Sequence, residues 1–443
     1  MNKDLTQGNP FKSVWLYALP LLGSILFQQL YNIADSFVAG KFLGEGALAA
    51  VGNASEITLI YTAFAFGSNI GCSVVVSRLF GAKDYKGVKS CISTSFITFG
   101  VLCMLLMAFG LFFSAPILRL MNTPLSAFDD SLVYLTWYTL GIPFVFFYNV
   151  ATGIFSAMGD SKTPFLFLAA SSLSNIAVDI LFVTRTPLGV AGVAIATLIC
   201  QGVSCILALG FLFKRLKSIE TEGKAPLFDK TLFSKICKVA VPSILQQGSI
   251  SIGNICIQGI VNGYGEAVMA GFTAAIKLNN IATSCFTAIA NGLSSFTSQN
   301  MGAKRTERVK PGLIAALTMS ILVALVLCLS YTIGRAACIG FFLNAPTKEA
   351  LDAGSEFLLI VSPFYFVICV KITVDGVLRG SGAMHLFMIS TMIDLVLRVL
   401  LAWIFSPFFG STGIWYAWPI GWLIAAILSV SFYLAGKWKK ANL

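Results

Sequence analysis

The sequence predicts an all-α polytopic membrane protein. Twelve transmembrane helices form two six-helix bundles related by a pseudo-twofold axis, with both termini cytoplasmic. Three observations carry this. Of 443 residues, 57% are hydrophobic and only 11% charged, whereas a soluble domain carries about 25% charged residues. The apolar residues gather in runs of the roughly 20 residues that a spanning helix needs. The two halves of the chain also repeat each other.

Twelve apolar runs lie at 14–40, 54–77, 90–114, 131–154, 164–184, 189–213, 234–262, 270–298, 312–334, 354–379, 384–405 and 412–435. The first is too long for a cleavable signal peptide and is followed by no small-residue cleavage pattern. The net charge of +11 does not point to nucleic acid, because the basic residues fall between apolar runs and form no strip with aromatics. They report topology instead. The N-terminus, the even-numbered loops and the C-terminus hold 20 Lys and Arg; the odd-numbered loops hold five: Lys41, Arg119, Arg185, Arg335 and Lys348. Cytoplasmic loops attract positive residues, so both termini are expected in the cytoplasm and an even number of spans follows.

The longest polar stretch, 214–233, divides the chain into an N-lobe, 1–213, and a C-lobe, 234–443. At an offset of about 221, "RLFGAKDYKGVK" (78–89) matches "QNMGAKRTERVK" (299–310), "GEGALAAVG" (44–52) matches "GEAVMAGFT" (265–273), and Gly189 and Gly192 match Gly410 and Gly413. "WLYALP" ending at Pro20 matches "CKVAVP" ending at Pro242. Six spans per half make the repeat parallel, a transporter architecture with a central cavity and alternating access.

Carboxylates inside spans carry the functional argument. Gln28, Asn32 and Asp35 share one face of span 1 at i, i+4 and i+7; Asn175 and Asp179 share one face of span 5; Thr197 lies in span 6. A carboxylate at the centre of a spanning helix costs about 2.5–3.5 kcal/mol, so it faces protein or water and marks an ion path. Asp35 and Asp179 each lie five residues before the outer ends of their spans, about 8 Å deep, and Thr197 lies about 12 Å deep. Two neighbouring carboxylates favour holding a proton. Asp, Asn and Thr together offer only oxygen atoms, which suits sodium. The residues leave both ions open. In the second half Ile257 stands where Asp35 stands in the first, while Asn254 matches Asn32, so this site belongs to the first half alone.

Other intramembrane polar groups surround the question. Lys371, Asp375 and Arg379 are spaced i, i+4, i+8 in span 10, and Asp394 and Arg398 are spaced i, i+4 in span 11. They read as an ion-paired cluster or as substrate-linked acids at Asp375 and Asp394. Gln247, Ser251, Asn254 and Gln258 form a polar stripe on span 7, and Tyr31, Tyr138, Phe147 and Tyr148 are candidate cavity aromatics. Pro20 removes a helix hydrogen bond and supplies a hinge in span 1. The eleven cysteines are scattered singly and the one histidine is His385, so cysteines read as small hydrophobes and a histidine-rich metal site is excluded. No GxxxxGK[ST], HExxH or GxSxG motif occurs, so no enzyme activity is expected.

On "LPLLGSILFQQLYNIADSFVAGKFLG", "RLFGAKD" with its echo "QNMGAKR", "ATGIFSAMGDSKTP", "NIAVDILF" and "DGVLRGSG", the chain resembles the multidrug and toxic compound extrusion (MATE) family. The resemblance covers nearly the whole chain. It implies a cation-coupling site at Asp35, Asn175, Asp179 and Thr197, the residues the composition had already singled out. It implies export of organic, often cationic, compounds against a proton or sodium gradient, with no cofactor beyond that ion. A helix 7 acid found in some members has no counterpart between Lys238 and Tyr264, whereas the helix 10 acid has a candidate in Asp375. The expected setting is a bacterial cell membrane, the expected partners are small organic substrates and lipid rather than nucleic acid, and the expected state is a monomer. The competing readings are a lipid-linked saccharide flippase of the same superfamily, an intramembrane enzyme and a channel.

Overall fold

The structure, a computed structural model, describes residues 4–121, 123, 125–221, 223–343 and 347–441, without the side chains of 30–49, 52, 53, 55, 56 and 126. All regular elements among the described residues are helical: α1 (Pro10–Gly81), α2 (Tyr85–Leu120), α3 (Leu125–Ala157), α4 (Lys162–Arg185), α5 (Gly189–Lys217), α6 (Lys230–Asn262), α7 (Glu266–Gly302), α8 (Val309–Ile333), α9 (Arg335–Phe342), α10 (Lys348–Val361), α11 (Tyr365–Ser381), α12 (Met384–Phe409) and α13 (Ser411–Leu434). A chain this apolar must pair its backbone groups internally, and within lipid only helices or closed barrels do so.

Ten segments among the described residues are long and apolar enough to cross a membrane, two of them, Pro10–Gln29 and Ile57–Gly81, inside α1. With α6 and α7, which are as long but carry more polar residues, these account for the twelve expected spans. α10 and α11 together form one span, Lys348–Ser381, interrupted by a single 3-10 turn at Ser362–Phe364. The interruption falls at Pro363, whose nitrogen has no hydrogen to donate.

The internal repeat is visible in the backbone. Lys83 and Lys304 are the two described non-glycine residues with positive φ, 59° and 58°, and they are the lysines of the two GAK turns. Gly189 and Gly410, matched in sequence, both take positive φ, 53° and 63°, which glycine adopts without steric cost.

Two compact units emerge. Among the described residues, the first holds Asp4 and Gly23–Ile244, and the second holds Leu5–Leu22 and 245–441. These bounds differ from the lobes expected at 1–213 and 234–443: the opening of α1 packs within the second unit, and the linker with the opening of α6 packs within the first.

In the first unit, Gly67 and Gly71 on α1 press on Ile244 and Ala240 of α6. A Cβ on Gly71 would stand 2.5 Å from that of Ala240, and one on Gly67 2.8 Å from the backbone nitrogen of Ile244. Small residues four apart let helices approach this closely in lipid, where burial of apolar surface gives no drive. The linker is tied down as well: Lys89 Nζ donates to the Ile219 carbonyl (2.7 Å) and Thr94 Oγ1 accepts from Asp229 N (3.1 Å).

The second unit repeats the arrangement. A Cβ on Gly292 of α7 would stand 3.2 Å from that of Ala18. The N-terminal strap is held by α7 and the turn after it: Gln299 Oε1 accepts from Leu5 N (3.0 Å), Arg305 donates to the Thr6 carbonyl (2.8 Å), and Arg308 donates to those of Gly8 (2.9 Å) and Gln7 (3.0 Å). An aromatic core fills the interior beside Tyr365 and Trp422: Phe272 stacks on Trp415, and Phe357 meets Trp415 and Trp418 edge to face.

Candidate functional site

In the first unit, α4 is a membrane helix with inverted polarity. Its buried residues are Pro164, Ser172, Asn175 and Asp179, while Leu166, Leu173 and Leu181 are exposed. Lipid accepts the leucines without cost, so the polar stripe turns inward. Asp179 is fully buried and Asn175 is 3% exposed.

The register of α4 against α5 is fixed at the GDSKTP turn. Asp160 accepts from Thr163 Oγ1 (2.7 Å) and from the backbone nitrogens of Lys162 (3.2 Å) and Thr163 (3.1 Å). It thereby takes the role of a helix cap for α4. Arg215, from the last turn of α5, pairs with the same carboxylate and lies over the Phe155 ring. Burial pushes the Asp160 carboxyl up, but hydrogen bonds from Arg215 and Thr163 outweigh it, and the pKa lies below its ordinary 3.8.

With the ends so joined, Cys200 on α5 meets Asn175 and Asp179. Thr197 lies one turn away on the same helix, its Oγ1 buried. Among the described residues, Thr197 Oγ1 has no hydrogen-bond partner, whereas the Asn175 amide faces the Cys200 thiol. Asp35, Tyr31 and Asn32 lie outside the described side chains. In the second unit Ile257, the counterpart of Asp35, sits in the apolar core. A buried carboxylate with an amide one turn away on its own helix can hold a proton or a small hard cation. Cys200 escapes sequence reasoning because cysteine in a spanning helix reads as a small hydrophobe.

The remaining candidates are placed as follows. Pro20 and Gln28 are half-buried, as are Tyr138, Gln247, Asn254 and Gln258. Gln258 donates to Asn262 Oδ1 (2.8 Å) on its own helix. Tyr148 is 9% exposed, within the core, and Tyr138 faces Thr58 and Thr62.

The span 10 and 11 charges resolve into separate groups. Lys371 Nζ lies 2.8 Å from Asp375 Oδ2, and Asp375 Oδ1 accepts from Ser429 Oγ of α13 (2.6 Å). Arg379 donates to Asn291 Oδ1 of α7 (2.6 Å) and also lies within electrostatic reach of Asp375. Arg398 approaches Asp394 at 3.8 Å and lies 4.3 Å over the Trp418 ring. Gly421 makes room for this carboxylate: a Cβ there would stand 2.8 Å from Asp394 Oδ1, an oxygen with no hydrogen-bond partner among the described residues. The hydroxyls and Asn291 carried no signal of their own in the sequence, because such groups are common in spanning helices.

Comparison with known proteins follows the same lines. The MatE family model matches residues 20–181 and 242–404. The chain is 30% identical over 441 residues to the probable multidrug resistance protein YpnP of Bacillus subtilis (strain 168), covering 99% of this chain and 98% of the relative. It is 23% identical to the multidrug export protein MepA of Staphylococcus aureus (strain NCTC 8325 / PS 47), covering 91% and 89%. Its fold matches an outward-facing MATE family transporter with a TM-score of 0.92 at 24% identity, covering 99% of each chain.

Proposed function

The chain belongs to the MATE family of multidrug efflux transporters, and from that membership we propose a secondary active antiporter that exports organic, cationic and amphipathic compounds in exchange for protons or sodium. It works by alternating access in a bacterial cell membrane, with both termini cytoplasmic, and as a monomer. The observation that carries the reading is the fully buried Asp179 beside Asn175 on the inward stripe of α4. A carboxylate in that setting is retained for ion exchange rather than for packing. Asp35, Asn175, Asp179 and Thr197 hold the coupling ion, and Pro20 is the hinge that links its binding to the cavity. Gln28, Tyr31, Asn32, Tyr138, Gln247 and Asn254 are cavity candidates.

The test is reconstitution in liposomes with a fluorescent organic cation, under a proton gradient and a sodium gradient applied separately. One gradient drives wild-type flux, and Asp35→Asn and Asp179→Asn each abolish it. Full gradient-driven flux in both variants overturns the assignment.

A further inference from the structure

Asp375 lies among buried polar side chains from three helices. Its Oδ2 faces Lys371 Nζ at 2.8 Å; its Oδ1 accepts from Ser429 Oγ at 2.6 Å and from Ser390 Oγ at 3.4 Å. Lys371 Nζ also donates to Thr391 Oγ1 at 3.0 Å. These five side chains come from α11, α12 and α13 and all are buried, Lys371 5% exposed and Asp375 4%. A carboxylate ringed by hydroxyls is an all-oxygen donor set, the kind a small hard cation takes. Here the cation is an ammonium on a four-carbon stem, a compact point charge 2.8 Å from the carboxylate.

We propose that the second unit contains a monovalent-cation site permanently filled by Lys371, which holds the place of an exchangeable ion and opens to one when its side chain is removed. The ligand class of the opened site is a small monovalent cation: methylammonium, which replaces the amine and its last carbon, then ammonium, then sodium. The tethered amine stays with the protein through every conformation. Under the antiport reading, on which this consequence rests, ion exchange is confined to the first unit and Asp375 does not add to the coupling stoichiometry.

The site can be tested without transport. Full-length wild type, Lys371→Ala and Lys371→Ala/Asp375→Asn are purified in detergent, and thermal unfolding is followed with rising methylammonium, sodium or choline chloride. Lys371→Ala removes the cation at Asp375 Oδ2 and leaves Arg379, one turn on, as the remaining positive charge near it, so its Tm drops. Methylammonium restores it by a saturating shift of about 2–4 °C; choline, too large for the opened site, does not, and the double variant shows no shift. If Lys371→Ala does not fold, Lys371→Met takes its place with ammonium as the probe, because methionine fills the stem and leaves only the space of the amine. The absence of a saturating shift with every small cation overturns the proposal. So does a second result, obtained with the lysine intact: a sodium-dependent Tm shift in Asp35→Asn that Asp375→Asn removes. Failure of the antiport reading would appear in the liposome flux and leave these curves unchanged.

Discussion

Gly71 on α1 and Ala240 on α6 approach so closely that a Cβ on the glycine would meet that of the alanine at 2.5 Å and its Cα at 3.0 Å. The repeat-related contact, Gly292 with Ala18, leaves 3.2 Å. Gly71→Ala is therefore expected to lower stability by about 1–3 kcal/mol through overpacking, and Gly292→Ala by less. Ala240→Gly in the Gly71→Ala background should recover part of the loss. Thermal unfolding in detergent ranks the three.

Asp179 predicts a separation of coupling from binding. Asp179→Asn keeps the size and burial of the side chain but cannot release a proton, so gradient-driven efflux should fall to background while substrate binding survives. Asn175→Ala should weaken ion dependence without abolishing flux, and Cys200→Ala should leave flux near wild type. Substrate affinity by fluorescence quenching, set beside liposome flux, separates these outcomes. Loss of binding in Asp179→Asn would speak against a coupling role.

Asp160 and Arg215 set a pH response. Asp160 has a folded-state pKa below its ordinary 3.8, so its contribution is complete above that value and lost as pH falls through the lower folded value. Wild-type Tm should drop over that acidic interval, and Asp160→Asn should flatten this part of the profile. At neutral pH, Asp160→Asn should cost about 1–3 kcal/mol, as expected when a hydrogen bond to a charged group is lost. Tm measured from about pH 2 to 7 on both proteins gives the comparison.

Arg398 shields Asp394 from being an isolated charge. Arg398→Leu should destabilise by about 3–5 kcal/mol because a buried carboxylate remains unpaired. Arg398→Leu/Asp394→Leu should recover most of that loss. If the single and double variants unfold together, the pair at 3.8 Å is not coupled energetically.

Membrane class, the spanning helices and the internal repeat were legible because lipid demands long apolar runs and because the GAK turns recur, their lysines, Lys83 and Lys304, with matching backbones. Asn175 and Asp179 were legible because polar groups in such runs are costly and therefore conspicuous. Ser390, Thr391 and Ser429 were not, since hydroxyls in a helix can bond the preceding turn and look ordinary, as Ser390 does with the Phe387 carbonyl (3.0 Å). Asp160 was quoted within a motif, but its partner Arg215 lies 55 residues on, and no periodicity reports such a pairing. The division into units was hidden for the same reason: α1 and α6 are each continuous in pattern through Pro20 and Pro242, although the chain changes unit at Gly23 and again at Leu245.

That crossing makes the two halves of the chain dependent on each other. A polypeptide ending at Ser218 would lack the 219–244 segment that seats Gly67 and Gly71, and one beginning at Ile219 would lack the Leu5–Leu22 segment that seats Gly292. Neither fragment owns a whole core.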